Sequence, residues 1–92
     1  YLNILHKNLK ELSKNKYDFV FYVAGVDIHF EDRLGKLKIT DEGINKRDQI
    51  VIENFYSKKT PLCGVLGGGY NKSFEKLIEL HSMLHKNCAT YF

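Results

Sequence analysis

Leu2, Leu5, Leu9 and Leu12 recur at helical spacing with Lys7, Asn8, Lys10 and Glu11 between them, so an amphipathic helix is predicted over residues 2–14. Asn15 and Lys16 end it. Phe19-Val20-Phe21-Tyr22-Val23 is then an unbroken β-branched and aromatic run closed by Gly25, the pattern of a strand buried on both faces. Residues 26–39 lack a consistent period and carry six charged side chains plus His29, which predicts a loop of the kind that carries function. Thr40 suits the cap of a second helix, Asp41 and Glu42 its positive end, and Lys58 and Lys59 its negative end. Ile44, Val51, Ile52 and Phe55 form its buried stripe. Pro61 to Leu66 reads as a second strand, and from Ser73 the residues Phe74, Leu77, Ile78, His81 and Leu84 mark a closing helix.

Two strands joined through a helix imply a parallel βαβ unit with a right-handed connection. The fold class is α/β. In such sheets ligands gather beyond the carboxyl ends of the strands, where this chain places Asp27 and Tyr70. Parallel sheets normally need helices on both faces and further strands. The expectation is therefore one incomplete domain over residues 1–92, a segment of a larger doubly wound domain or an obligate subunit.

Composition narrows the function. The net charge of +3 comes from lysines scattered among acidic residues, a solvated surface and not a nucleic-acid footprint. Direct nucleic-acid binding is not expected. Cys63 and Cys88 lack both zinc-knuckle spacing and the density of a secreted scaffold, and read as reduced cytosolic thiols. No apolar run approaches the about 18 residues of a membrane span, and no basic-then-apolar leader opens the chain. We expect a soluble, unexported protein in the cytoplasm, or the nucleus of a eukaryote, with no membrane partner. The sequence begins with Tyr1, so the expected start lies upstream.

Leu66-Gly67-Gly68-Gly69-Tyr70 follows the second strand directly. Three consecutive glycines carry a large ordering cost and belong where dihedrals are unusual or a ligand comes close. Tyr70 could donate its hydroxyl to a developing oxyanion, or simply pack as an aromatic. Asp27, a carboxylate at a strand end, suits a zinc or magnesium ligand, or else a helix cap or a loop hydrogen bond. Gly67, Gly68 and Gly69 lack the spacing and the Lys-Ser/Thr ending of a phosphate loop. His81 and His85 stand four apart on a helix without the glutamate of a metalloprotease motif, and His81 falls on the apolar stripe. His29 is either a support for the site or an exposed loop histidine. Asp32 and Arg33 read as residues that hold the loop.

Taken together, Tyr22-Val23-Ala24-Gly25-Val26-Asp27, Glu31-Asp32-Arg33-Leu34-Gly35, Lys46-Arg47-Asp48 and Leu66-Gly67-Gly68-Gly69-Tyr70 resemble the C-terminal part of a zinc-dependent histone deacetylase family protein. The Asp-Arg-Leu-Gly wording is most similar to the class IV and bacterial branch. The resemblance implies an arginase/deacetylase fold, a three-layer α/β domain, and hydrolysis of an N-acetyl amide. Asp27 matches the family's last zinc ligand, Tyr70 the tyrosine that polarises the acetyl carbonyl, and the glycines a passage for substrate close to it. The implied cofactor is Zn2+. The implied substrate is an acetylated protein or a small acetylated amine. The family's paired general-base histidines and its Asp-x-His ligands have no counterpart in this sequence, and a catalytic zinc generally takes three protein ligands. Catalysis is therefore expected of a longer protein, with this chain inactive alone. The competing expectation is a degenerate scaffold that only binds.

Overall fold

In the computed structural model, which describes residues 1–91, the elements run α1 (Leu2–Leu12), β1 (Val20–Gly25), α2 (Asp41–Ser57), β2 (Leu62–Gly67) and α3 (Phe74–Ala89). Two of the helices start on side-chain caps. Thr40 Oγ1 accepts the Gly43 N–H at 3.0 Å, and Ser73 Oγ accepts the Lys76 N–H at 3.2 Å. Each satisfies an otherwise unpaired first-turn donor.

The two strands pair in parallel, Val20 opposite Leu62 through to Gly25 opposite Gly67. Because both strands end at the same level, the segments that follow them emerge side by side. Val20, Tyr22, Ala24 and Leu62 turn toward the helices. There Leu9 packs with Val51 and Phe55, Ala24 with Ile52 and Leu84, and Val26 with Ile44 and Leu80. Ile44 and Leu80 are fully enclosed, each worth about 1.5–3 kcal/mol by area. The last of these clusters lies directly under the strand ends.

The expectation of a first strand buried on both faces does not hold. Phe21 is 70% exposed and Val23 65%, because no described element covers the face they share. Two helix stripes also differ from the spacing. Leu12 is exposed where α1 ends, and Phe74 and Ile78 face solvent while Leu80, Leu84 and Asn87 are buried. Asn87 hides this stripe from a hydropathy count, since it is polar yet satisfied by Asn45 Oδ1 and the Met83 carbonyl. Among the described residues no helix is long and apolar enough to cross a membrane, and both cysteines are free thiols.

Candidate functional site

Asp27 sits in a tight turn just beyond β1, closed by the His29 N–H donating to the Val26 carbonyl at 3.2 Å. Val26 anchors the turn in the core, and Asp27 itself points into the open. Its carboxylate lies against bare backbone. A Cβ added to Gly25 would stand 2.8 Å from Asp27 Oδ1, and one added to Gly68 would stand 3.2 Å from Asp27 Cγ. Gly35 packs closer still, since a Cβ there would fall 1.7 Å from the Asp27 carbonyl oxygen. The glycine of the Asp-Arg-Leu-Gly motif is thus the floor under Asp27.

The glycine run has an intramolecular reason as well. Gly68 and Gly69 take φ values of +32° and +115°, a region that side chains disfavour. A Cβ on Gly69 would strike Val26 Cγ2 at 2.7 Å and Leu77 Cδ1 at 2.8 Å. The chain therefore lies flat on the core before presenting Tyr70, a residue 56% exposed.

Asp32 joins the two loops. Its carboxylate accepts the N–H of Tyr70 at 2.5 Å, of Gly35 at 2.7 Å and of Leu34 at 3.0 Å. Burial opposes its ionisation, but these three amides, that of Tyr70 foremost, hold its pKa below the usual carboxylate value. Arg33 contributes through its backbone, donating its N–H to the Tyr70 carbonyl at 3.2 Å. Its side chain forms no hydrogen bond or ion pair among the described residues. The holding role read from the sequence for this pair therefore falls on the Asp32 side chain and the Arg33 main chain.

Beneath the strand end lies a polar group that hydropathy did not disclose. Arg47 and Asp48 are 5% and 1% exposed on the inner face of α2. Arg47 Nη1 donates to the Gly25 carbonyl at 2.5 Å, its Nε to Asp48 Oδ1 at 3.0 Å, and the Tyr22 hydroxyl donates to the same oxygen at 2.5 Å. The guanidinium also stands 5.7 Å from the Tyr22 ring centre. Burial, and then the hydrogen bond to Asp48, push the Tyr22 phenol well above its usual pKa against the pull of the Arg47 charge. The sequence signal was present, two adjacent opposite charges on the apolar stripe of a helix, a pattern that buried pairs produce.

His29 differs from the reading of an exposed loop histidine, being fully buried. Its Nδ1 accepts the Glu31 N–H at 3.3 Å and its Nε2 lies 2.5 Å from Asp41 Oδ1. His81 is half-buried under the glycine loop, its Nε2 3.4 Å from where a Cβ on Gly69 would be, and His85 is exposed.

As a metal ligand Asp27 has suitable chemistry: an exposed carboxylate cradled by glycine and free of hydrogen bonds among the described residues. It is one donor. Among the described residues no three histidine, cysteine or carboxylate side chains gather into a metal cluster. A depression of about 420 Å³ beside it is lined by Tyr22, Gly25, Asp27, Arg47, Gly67 and Gly68, among others.

A parallel α/β segment that sets a carboxylate and a phenol-bearing glycine loop on adjacent strand ends is a strand-end site of the doubly wound type. Residues 1–84 match the family described as the histone deacetylase domain. Over 87 residues the chain is 45% identical to an uncharacterized protein of Picosynechococcus sp., covering 94% of this chain and 29% of that protein. Over 79 residues it is 40% identical to Histone deacetylase 2 of Arabidopsis thaliana, covering 85% of this chain and 20% of that protein. The chain belongs to the histone deacetylase family, and its two-stranded sheet and three helices fit a segment of an arginase/deacetylase-type domain. It spans less than a third of the length of either relative.

Proposed function

We propose that the full-length protein is a zinc-dependent amidohydrolase that removes acetyl groups from an acetylated protein or a small acetylated amine. In this reading the present chain is the C-terminal part of its catalytic domain, and it belongs to the class IV and bacterial branch. The branch assignment is supported by Asp32-Arg33-Leu34-Gly35. The observation that carries the function is the Asp27 carboxylate packed on Gly68, two residues before an exposed Tyr70 whose amide is tied to Asp32.

Asp27 would be one zinc ligand, with the others supplied by residues outside this chain. Zinc, when bound, acidifies a water and polarises the acetyl carbonyl. Asp27 is held ready for this by Gly35 below and Gly68 beside it, so little reorganisation is needed on binding. Tyr70 donates its hydroxyl to the carbonyl oxygen as negative charge develops there, an interaction strongest in the transition state. The glycines keep side chains away from the path by which an acetylated chain approaches.

The test is to purify the full-length protein, measure zinc per chain, and assay acetyl-lysine peptides and acetylated amines with and without chelator. Chelator-sensitive hydrolysis with about one zinc is expected. A full-length protein that binds no zinc and hydrolyses neither class would leave the scaffold reading in its place. For the isolated 92-residue chain no hydrolysis is expected, since it carries a single ligand.

A further inference from the structure

His29 in the first loop, Asp41 at the start of α2 and Lys76 at the start of α3 lie in three different segments and meet in one chain of contacts. Because the Glu31 N–H is an obligate donor to His29 Nδ1, the ring proton sits on Nε2 and is donated to Asp41 Oδ1, 2.5 Å away. The second oxygen of Asp41 accepts from Lys76 Nζ, which also stands 3.7 Å from Glu79 Oε1. Asp41 opens α2, and Lys76 lies in the first turn of α3, shortly after Tyr70.

The backbone of His29 carries this chain of contacts to the chemistry. Its N–H closes the turn that holds Asp27, and its carbonyl accepts the Asp32 N–H at 3.0 Å. Asp32 in turn holds the Tyr70 amide. We infer that Asp41 is a positioning residue that, through His29 on one side and Lys76 on the other, sets the spacing between the Asp27 turn and the Tyr70 loop. A fully buried imidazole tolerates no loss of its partner, and the ionic contacts to Asp41 are roughly twice as strong as neutral ones. Lys76 also holds the Asp41 carboxyl below its usual pKa, so the bridge is charged at neutral pH. A misplacement of about 1 Å between two catalytic groups costs on the order of 100-fold in rate, which is the leverage such a bridge has.

The inference rests on the deacetylase reading only for what Asp27 and Tyr70 do. It is tested in the full-length protein with Lys76→Met, Lys76→Arg, Asp41→Asn and the Lys76→Met/Asp41→Asn double variant. Amide hydrogen exchange of residues 26–35 and 67–73 is followed beside kcat and KM for an acetyl-lysine peptide. Lys76→Met should speed exchange in both segments, lower kcat about tenfold or more and leave KM unchanged. Lys76→Arg should restore both, and adding Lys76→Met to Asp41→Asn should change nothing further. Faster exchange confined to the start of α3, or equal losses with and without Asp41, would overturn the bridge. Should the wild-type protein prove inactive on acetyl amides while exchange in both segments responds as described, the deacetylase reading falls and the bridge stands.

Discussion

The Asp32 carboxylate reaches across 38 residues of sequence to accept the backbone N–H of Tyr70 at 2.5 Å. The strands bring the two loops side by side, and the one backbone hydrogen bond from Arg33 N–H to the Tyr70 carbonyl joins them at a single point. Asp32 makes them one object. Its other bonds, to Leu34 and Gly35, fold the loop back so that Gly35 underlies Asp27. One carboxylate thus positions the proposed ligand and the proposed oxyanion donor together.

Replacing Asp32 by alanine strands three backbone donors at once. Hydrogen bonds to a charged group are worth about 1.5–3 kcal/mol each, and they are not additive here because one side chain makes all three. Asp32→Ala in the full-length protein should lose about 3 kcal/mol or more in urea unfolding, with turnover falling as well. Asp32→Asn keeps an acceptor and should fall between. Wild-type stability for Asp32→Ala would show that the loops are joined by something else.

The same group sets an acid limit. Its folded pKa lies below the unfolded carboxylate value of about 3.9, so its contribution is fully present above that value and is lost as pH falls through the lower, folded one. Asp41 shifts in the same direction, chiefly through its hydrogen bond to Lys76, and adds to the effect. Stability from these two should therefore be flat between about pH 7 and pH 5 and decline below about pH 4. Following unfolding free energy against pH in wild type and in an Asp32→Asn/Asp41→Asn variant checks this: the acid decline should be shallower in the variant.

Gly69→Ala probes the floor of the glycine loop. Its φ of +115° strains any side chain, and the new methyl would press on Val26 Cγ2 at 2.7 Å and Leu77 Cδ1 at 2.8 Å. Strain of this kind costs on the order of 1–3 kcal/mol, and the loop can relieve it only by lifting Tyr70 away from the core. Turnover should drop by about 100-fold while zinc content is retained. A variant with full turnover would mean that the loop height is not critical.

Periodic apolar residues made α2 and both strands legible, and the helix between two apolar runs made the parallel pairing legible. The placement of Asp27 and Tyr70 just past the strand ends was legible, because each follows an apolar run closed by glycine. The exposed face of β1 was not, since Phe21 and Val23 read as buried whether or not the covering element belongs to the same stretch of chain. Arg47, Asp48 and Asn87 break hydropathy stripes, and beyond the adjacent Arg47–Asp48 contact their partners Gly25, Tyr22 and Asn45 lie far away in sequence, where no local window reaches. The burial of His29 depends likewise on Asp41, which a one-dimensional reading assigns to the positive end of the helix.

Tyr70→Phe separates chemistry from architecture. The residue is 56% exposed and its hydroxyl has no hydrogen-bond partner among the described residues, whereas the contacts that hold the loop pass through its backbone. Removing one oxygen should therefore leave unfolding free energy within about 0.5 kcal/mol of wild type. Turnover is another matter, because a donor to the oxyanion acts mainly in the transition state. Losing such a donor costs roughly 100- to 1,000-fold in kcat with little change in KM. Steady-state kinetics on an acetyl-lysine peptide, measured beside zinc content and urea unfolding for the same preparation, resolves the two. Unchanged kcat would remove Tyr70 from the mechanism, and a parallel loss of stability would make it a packing residue.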